Sequence, residues 1–127
     1  MTKEQIEIFE KTFAQLCGLY DDITILVKKN PNDVMNIFKL RNINKVISSA
    51  NEIVGDTKPF EDFDGFDVEG DMPTNSDVTM LLGQYLNCME LVKKNNTHME
   101  WGHWYWDIDG SKKSSEIQTS APTMLKK

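Results

Sequence analysis

The chain has 127 residues, of which 39% are apolar and 27% are charged, and its net charge is −6. This length predicts a single domain over 1–127 that buries about two thirds of the unfolded chain's surface. No apolar run approaches the roughly 18 residues of a membrane span, and no signal-peptide pattern opens the sequence. Cys17 and Cys88 both lie in helical patterns, which is typical of reduced core thiols. We therefore expect a protein that is cytoplasmic, or assembled in a particle, with no membrane partner.

The excess negative charge is confined to one segment of the chain. Residues 1–54 contain seven acidic and seven basic side chains, and residues 74–127 contain six of each. The segment 55–73 contains seven carboxylates and one basic residue, Lys58. Thirteen lysines accompany a single arginine, Arg41, whereas specific nucleic-acid binding usually requires several arginines on a basic face. Direct binding of DNA or RNA is therefore not expected.

A repeat of apolar side chains near the N-terminus predicts a helix over about 3–29. Thr2 and Gln5 have the spacing of a capping box, and Pro31 ends the helix. Alternating steps of three and four residues place one apolar stripe along the helix, which we call the N-terminal seam. The seam consists of Ile6, Phe9, Phe13, Leu16, Tyr20, Ile23 and Val27. It widens in its second half, which favours burial in a bundle over pairing with a second chain.

Two further helices are predicted, over about 32–54 and 75–95. Gly55 is a natural stop for the first of them. A short turn would join the first two helices into an antiparallel hairpin over 3–54, and the third helix would complete a three-helix bundle. Prolines and glycines oppose regular structure in the acidic connection 55–73. The predicted fold is therefore mainly α.

The C-terminal residues 99–127 are predicted to form a small aromatic β-hairpin or an extended arm. All three tryptophans lie in this part of the chain. Alternation places Trp104, Trp106 and Ile108 on one side of a single strand that extends from 99 to 108. After a turn at 109–110, residues 116–119 would return as its partner strand. A hairpin alone is marginal in water, so it must pack on the bundle or on a neighbour.

Catalytic and metal-binding patterns are weak in this sequence. Residues 62–73 resemble the start of a calcium loop but lack the glycine and glutamate that an EF-hand requires. His98 and His103 are five residues apart, which is neither one helix face nor one side of a strand. No nucleophile is paired with a base, and no phosphate loop is present. We therefore predict a protein that is not an enzyme and has no cofactor and no metal site.

Two groups of residues are predicted to contact a protein partner. In the acidic segment, phenylalanines would anchor on the partner while carboxylates meet its basic residues, and this group is Phe60, Glu61, Asp62, Phe63, Asp64, Phe66 and Asp67. In the aromatic arm, side chains of the types that dominate interface energetics form the second group, which is Trp101, Trp104, Tyr105 and Trp106. Each group also has a purely structural interpretation. The phenylalanines would then pack on the chain's own helices, and the aromatic arm would cover the bundle core.

Three functional hypotheses follow from these patterns. The first is a non-enzymatic, protein-binding structural subunit of a larger assembly, with self-association through the N-terminal seam or the aromatic arm. Lysine-rich, arginine-poor proteins of this size also occur in AT-rich phage genomes, so a virion component is one such subunit. The second is an inhibitor or adaptor that docks a basic partner through 55–73, in one form by mimicking nucleic acid. The third is weak divalent-metal binding by 62–71.

Overall fold

The computed structural model describes residues 1–109 and 116–123. These residues form three helices, one 3-10 turn at Gly55–Thr57, and a three-stranded antiparallel sheet in the order β1-β2-β3. The helices are α1 (Lys3–Lys29), α2 (Ile37–Val54) and α3 (Asn75–Asn95), and the strands are β1 (Thr97–Glu100), β2 (His103–Trp106) and β3 (Gln118–Thr119). The predicted fold class, mainly α with a small C-terminal β-hairpin, is confirmed. None of the described helices has the length and apolar character that a membrane span requires.

Reciprocal capping boxes begin both α1 and α3. The hydroxyl of Thr2 accepts from the backbone N–H of Gln5 at 3.1 Å, and the Gln5 side chain accepts from the Thr2 N–H at 2.9 Å. Thr74 and Asp77 form the same arrangement at 3.1 and 3.0 Å. Each box satisfies two backbone donors that a helix start leaves without partners. These two helices therefore have the bounds that their sequences predict.

The second helix begins later than the sequence predicts. α2 starts at Ile37 after an Asn36 cap, rather than near residue 32. Residues 34–35 pair instead with 73–74, through an isolated antiparallel bridge and a 2.8 Å hydrogen bond from the Met35 N–H. This pairing with the start of α3 occupies backbone groups that a longer helix would have used. The predicted tight turn is therefore a longer connection, and its Met35 side chain is buried.

Both α2 and α3 run antiparallel to α1. The side chain of Asn75 donates to the Asn30 carbonyl at 2.9 Å, which places the start of α3 at the end of α1. At the opposite end, the Trp106 ring meets Phe9 near the start of α1. The bundle therefore has a loop end, which holds the connections 30–36 and 71–74, and a sheet end, which holds β1–β3.

The N-terminal seam lies at the centre of the core. Four of its seven side chains are buried, and the other three are half-buried and pack against that core. The facing stripes come from α2 and α3, and their buried members are Leu40, Ile43, Ile47, Ala50, Val54, Val78, Leu81, Leu82, Tyr85 and Met89. The seam is thus covered within the chain, as a wide apolar stripe favours.

The sheet contains a turn that the sequence analysis did not predict. Trp101 and Gly102 have φ values of +55° and +79° and connect β1 to β2. The prediction of one continuous strand from 99 to 108 is wrong, because two residues with positive φ match the strand twist and close a tight hairpin there. Part of the predicted return strand is present as β3, which pairs with β2. The predicted turn at 109–110 and the arm residues 110–115 and 124–127 fall, wholly or partly, outside the described residues.

Candidate protein-binding surfaces

Trp106 fixes the sheet to the bundle. Its ring meets Phe9 edge-on, with centroids 4.9 Å apart, and it is buried. Its Nε1–H donates to Glu10 Oε1 at 3.0 Å, and the Thr119 hydroxyl donates to the same oxygen at 3.0 Å. A buried indole N–H needs such a partner, and Glu10 supplies it from α1. Among the four aromatic residues predicted to contact a partner, Trp106 therefore lies in the chain's own core.

Trp101 has the opposite environment at the tip of the hairpin. Its side chain is 87% exposed, and its backbone is in the left-handed region. That conformation costs a non-glycine residue about 1–2 kcal/mol, and glycine or asparagine would largely avoid the cost. An exposed indole also gains almost no free energy from burial. In the isolated chain, backbone conformation and exposure therefore both disfavour a tryptophan at this position.

Met72 is the only other non-glycine residue with positive φ among the described residues. Its φ is +45°, and its side chain is 59% exposed. Both strained positions thus carry large apolar side chains that face solvent. Backbone strain of this kind is typical of binding and switch sites. Here the backbone strain coincides with an exposed apolar side chain at two positions, which lie at opposite ends of the bundle.

Met72 is one of several exposed apolar side chains at the loop end. The pairing of 34–35 with 73–74 brings it beside the start of α2. Phe38, in the first turn of that helix, is 72% exposed. We define the loop-end patch as Val34, Ile37, Phe38 and Met72, all exposed. The sequence patterns did not predict this exposed surface.

The sheet end carries a smaller apolar projection, which we define as the hairpin tip. It consists of Met99 and Trp101, both exposed. Trp104 lies opposite Met99 on the neighbouring strand and is half-buried, as is Tyr105 on the other face of the sheet. The four predicted aromatic residues are therefore graded in exposure, from the core contact of Trp106 to the free surface of Trp101.

The turn at 101–102 also brings the two histidines onto one face of the sheet. Glu100 lies opposite His103, and His98 is on the same face two pairs further along, opposite Tyr105. The Nδ1 of His98 is 2.5 Å from Asp107 Oδ1, and its Nε2 is 3.5 Å from Glu100 Oε2. The sequence separation of five residues concealed this arrangement, because a tight turn reverses the chain between them. Across the described residues, however, no cluster of three or more His, Cys, Asp or Glu side chains is placed to hold a metal ion.

The acidic segment follows the α2–α3 side of the bundle from the sheet end to the loop end. The Phe63 ring lies 5.1 Å from Phe66 and 6.4 Å from Tyr85, measured between centroids. The side chain of Asn44 accepts from the Phe66 N–H at 2.9 Å and donates to the Phe66 carbonyl at 2.8 Å. Two of the three predicted anchor phenylalanines thus pack on the chain's own helices, and Phe60 is the exposed one.

The carboxylates of the segment face solvent around an open groove of about 730 Å³ at the end of α2. Its walls include Glu52, Asp56, Glu61 and Asp64, with Lys58 paired to Asp64 at 2.8 Å. The other predicted contact carboxylates, Asp62 and Asp67, are also exposed. These carboxylates therefore lie on a segment that is packed against the helices rather than on a free arm.

A buried lysine and two thiols lie away from these surfaces. Lys93 is buried, its Nζ donates to the Ser120 hydroxyl at 2.7 Å, and it lies 5.7 Å from the centre of the Phe13 ring. Cys17 and Cys88 are free and half-buried. Burial raises the pKa of both thiols, and Asp21 and Glu90 raise that of Cys17 further. A raised pKa reduces the thiolate fraction, which is the opposite of the shift that activates a cysteine nucleophile.

No protein-family model matches this chain, and neither a curated protein nor a solved structure matches it. The described residues form a three-helix bundle with a strained, exposed apolar group at each end and an acidic segment along one side.

Proposed function

We propose that this protein is a non-enzymatic protein-binding module that serves as a subunit of a larger assembly, and that Trp101 is its main anchor. The observation that supports this is the combination of 87% exposure and positive φ at Trp101. A tryptophan that the isolated chain disfavours becomes favourable when a partner covers it. Burying an indole removes about 150–250 Å² from water, which is worth about 4–6 kcal/mol before the cost of association. Few side chains contribute as much at an interface.

The proposed place of action is the cytoplasm, or a particle assembled there, since two free thiols suit a reducing compartment. A virion component is one assembly of this kind. Most side chains of the N-terminal seam are buried in the core and cannot contact other molecules, so we assign binding to the hairpin tip.

Affinity capture from an extract of the native source tests the proposal. We expect the immobilised wild-type protein to recover a partner, identified by mass spectrometry, that the Trp101→Asn variant does not recover. Asparagine suits the turn, so the variant keeps its fold. Met80→Gln is the matched control, because Met80 is also exposed but lies on α3 away from the tip. Recovery of the same partner by Trp101→Asn and wild type would show that Trp101 is not the anchor.

A second candidate function is docking of a basic partner, as an inhibitor or adaptor that mimics a phosphate chain. It is favoured by the packing of the acidic segment on the chain's own helices, because a surface that is already folded loses less entropy on binding. Changing Glu61, Asp62 and Asp67 to the corresponding amides removes charge without altering the Asn44 contacts. We expect this triple variant to lose a basic partner whose capture also weakens with added salt. If the triple variant captured the partner as well as the wild type at every salt concentration, the acidic segment would not be the docking surface.

A further inference from the structure

We propose that the sheet binds its partner by strand addition: a second copy of this chain places its β1 beside β1 of the first, antiparallel and about a two-fold axis. The proposal rests on the function proposed above, because Trp101 lies at the end of this edge. β1 is an outer strand of the sheet, and among the described residues it pairs with β2 alone. Strand addition would join the sheets of the two copies into one continuous sheet.

The hydrogen bonds of β2 show which backbone groups of β1 point away from it. In an antiparallel sheet, successive residues direct their N–H and C=O groups alternately to one neighbouring strand and to the other. The Trp106 N–H donates to the Ile117 carbonyl at 2.9 Å, on the β3 side, so its cross-strand partner Thr97 directs its own groups away from β2. The same holds for Met99, two residues further along. Thr97 is buried, whereas Met99 is 60% exposed. Met99 therefore offers an accessible backbone donor and acceptor to an added strand.

The edge lacks the features that usually prevent such pairing. Natural edge strands are protected by proline, by lysine, by a bulge or by a covering segment. The four residues of β1 are THME, without proline or lysine, and their register with β2 is continuous, without a bulge. No described strand covers the outer side of β1. The backbone of Met99 is therefore open to a strand from outside the chain.

The sequence of β1 is complementary to itself in one antiparallel register. If Met99 lies opposite Met99 of the second copy, these two residues exchange both backbone hydrogen bonds, and His98 lies opposite Glu100 on each side of the axis. A shift of two residues, which the alternation of hydrogen bonds also permits, places His98 opposite His98 or Glu100 opposite Glu100. Unlike charges directly opposite each other are favourable, and like charges are unfavourable. The contact of His98 with Asp107 lies within each copy, so it is the same in all three registers. This complementarity selects a second copy as the occupant.

The same register places Trp101 against the second copy. Because the two strands run in opposite directions, Trp101, which follows Glu100, lies beside the end of the other β1 that joins α3. Covering the indole there removes it from water and offsets its backbone strain. The shared surface is at or below the lower limit of about 1,200 Å² for specific interfaces, so we expect a dissociation constant on the order of 10–100 µM.

Sedimentation velocity over about 1 µM to 1 mM tests the edge contact, since this range spans the expected dissociation constant. The weight-average mass should rise from that of one chain, 14.6 kDa, and level off at two chains, because a two-fold contact uses the free edge of both copies. Met99→Pro removes the outward N–H at a position where an edge strand tolerates proline, and it should stay monomeric with an unchanged circular dichroism spectrum. Trp101→Asn should weaken dimerisation by about 30-fold or more. Met80→Gln should dimerise like the wild type.

Crosslinking tests the register and does not depend on the folding of the proline variant. Directly opposite side chains have Cβ atoms about 5 Å apart, so Met99→Cys places two thiols together at the axis. A short bismaleimide crosslinker should join two copies of this variant at about 50 µM protein. Met80→Cys is the matched control, because Met80 is similarly exposed but lies on α3. It should remain a single chain, as should the wild type with its half-buried Cys17 and Cys88.

Four results would each overturn the proposal. They are a wild type that is monomeric at about 1 mM, a mass that grows beyond two chains, a folded Met99→Pro variant that dimerises like the wild type, and crosslinking at Met99 no greater than at Met80. If capture from the extract still depends on Trp101 in such a case, protein binding stands and only the second copy is wrong. If Trp101→Asn affects neither capture nor dimerisation, both proposals fail.

Discussion

Replacing Trp101 with asparagine should make the protein more stable while removing the proposed anchor. Relief of the left-handed backbone is worth about 1–2 kcal/mol, because asparagine tolerates that conformation. The loss of contact is small, since the side chain is 87% exposed. Covering the remaining fraction of a side chain of about 200 Å² contributes only about 0.5 kcal/mol. We expect a net gain of about 1 kcal/mol, which for a chain of this length raises Tm by about 4 °C.

Thermal unfolding followed by circular dichroism measures this effect, at a few micromolar protein so that self-association does not contribute. Trp101→Ala is the matched comparison, because alanine removes the ring but keeps a Cβ at positive φ. It should therefore show no gain in Tm. If Trp101→Asn lowered Tm instead, the indole would have to pack within its own chain, and the argument from strain and exposure would be refuted. A gain in stability together with a loss of binding is the trade-off expected at a functional site.

Three further predictions concern contacts that hold the fold together. Glu10→Ala leaves the buried Trp106 N–H without its acceptor and should lower the free energy of unfolding by about 1–3 kcal/mol, measured by urea denaturation. Asn44→Ala removes both hydrogen bonds to the Phe66 backbone and should cost about 1–3 kcal/mol, with faster amide exchange across the acidic segment. Burial raises the pKa of Tyr85 to about 12, so stability should fall as pH rises from about 10 to 12.

Each of these predictions has a control. The control for Glu10→Ala is Glu7→Ala, which changes an exposed glutamate on the same helix. The control for Asn44→Ala is Asn87→Ala, which changes an exposed asparagine. Both controls should leave the free energy of unfolding nearly unchanged. A loss in either control equal to that in its partner would contradict the proposed contact.

The sign of the Tyr85 effect follows from proton linkage. The unfolded chain loses its tyrosine proton near pH 10 and the folded chain near pH 12, so between these values the unfolded state is favoured. The difference corresponds to at most about 3 kcal/mol, and below pH 10 the contribution is constant. Tyr85→Phe should lack this fall, and an equal slope in both proteins over pH 10–12 would show that other groups cause it.

The local sequence determined much of the helical architecture. The capping boxes of α1 and α3 each involve residues only three apart, so the starts of these helices can be predicted without knowledge of the fold. The N-terminal seam also identified the central helix, because a wide apolar stripe must be buried by other parts of the structure.

Contacts between distant residues decided the rest. The start of α2 moved because residues 34–35 pair with 73–74, a pairing that no local pattern encodes. The turn at Trp101-Gly102 contains a tryptophan at a position where such turns favour asparagine or glycine. The sequence therefore did not predict this turn, the register of the sheet or the placement of both histidines on one face. The sequence also could not show which of the neighbouring tryptophans is buried and which is exposed. Trp106 is buried because α1, 96 residues earlier, supplies Glu10 as its partner, whereas Trp101 extends beyond the bundle and finds no such cover within the described chain.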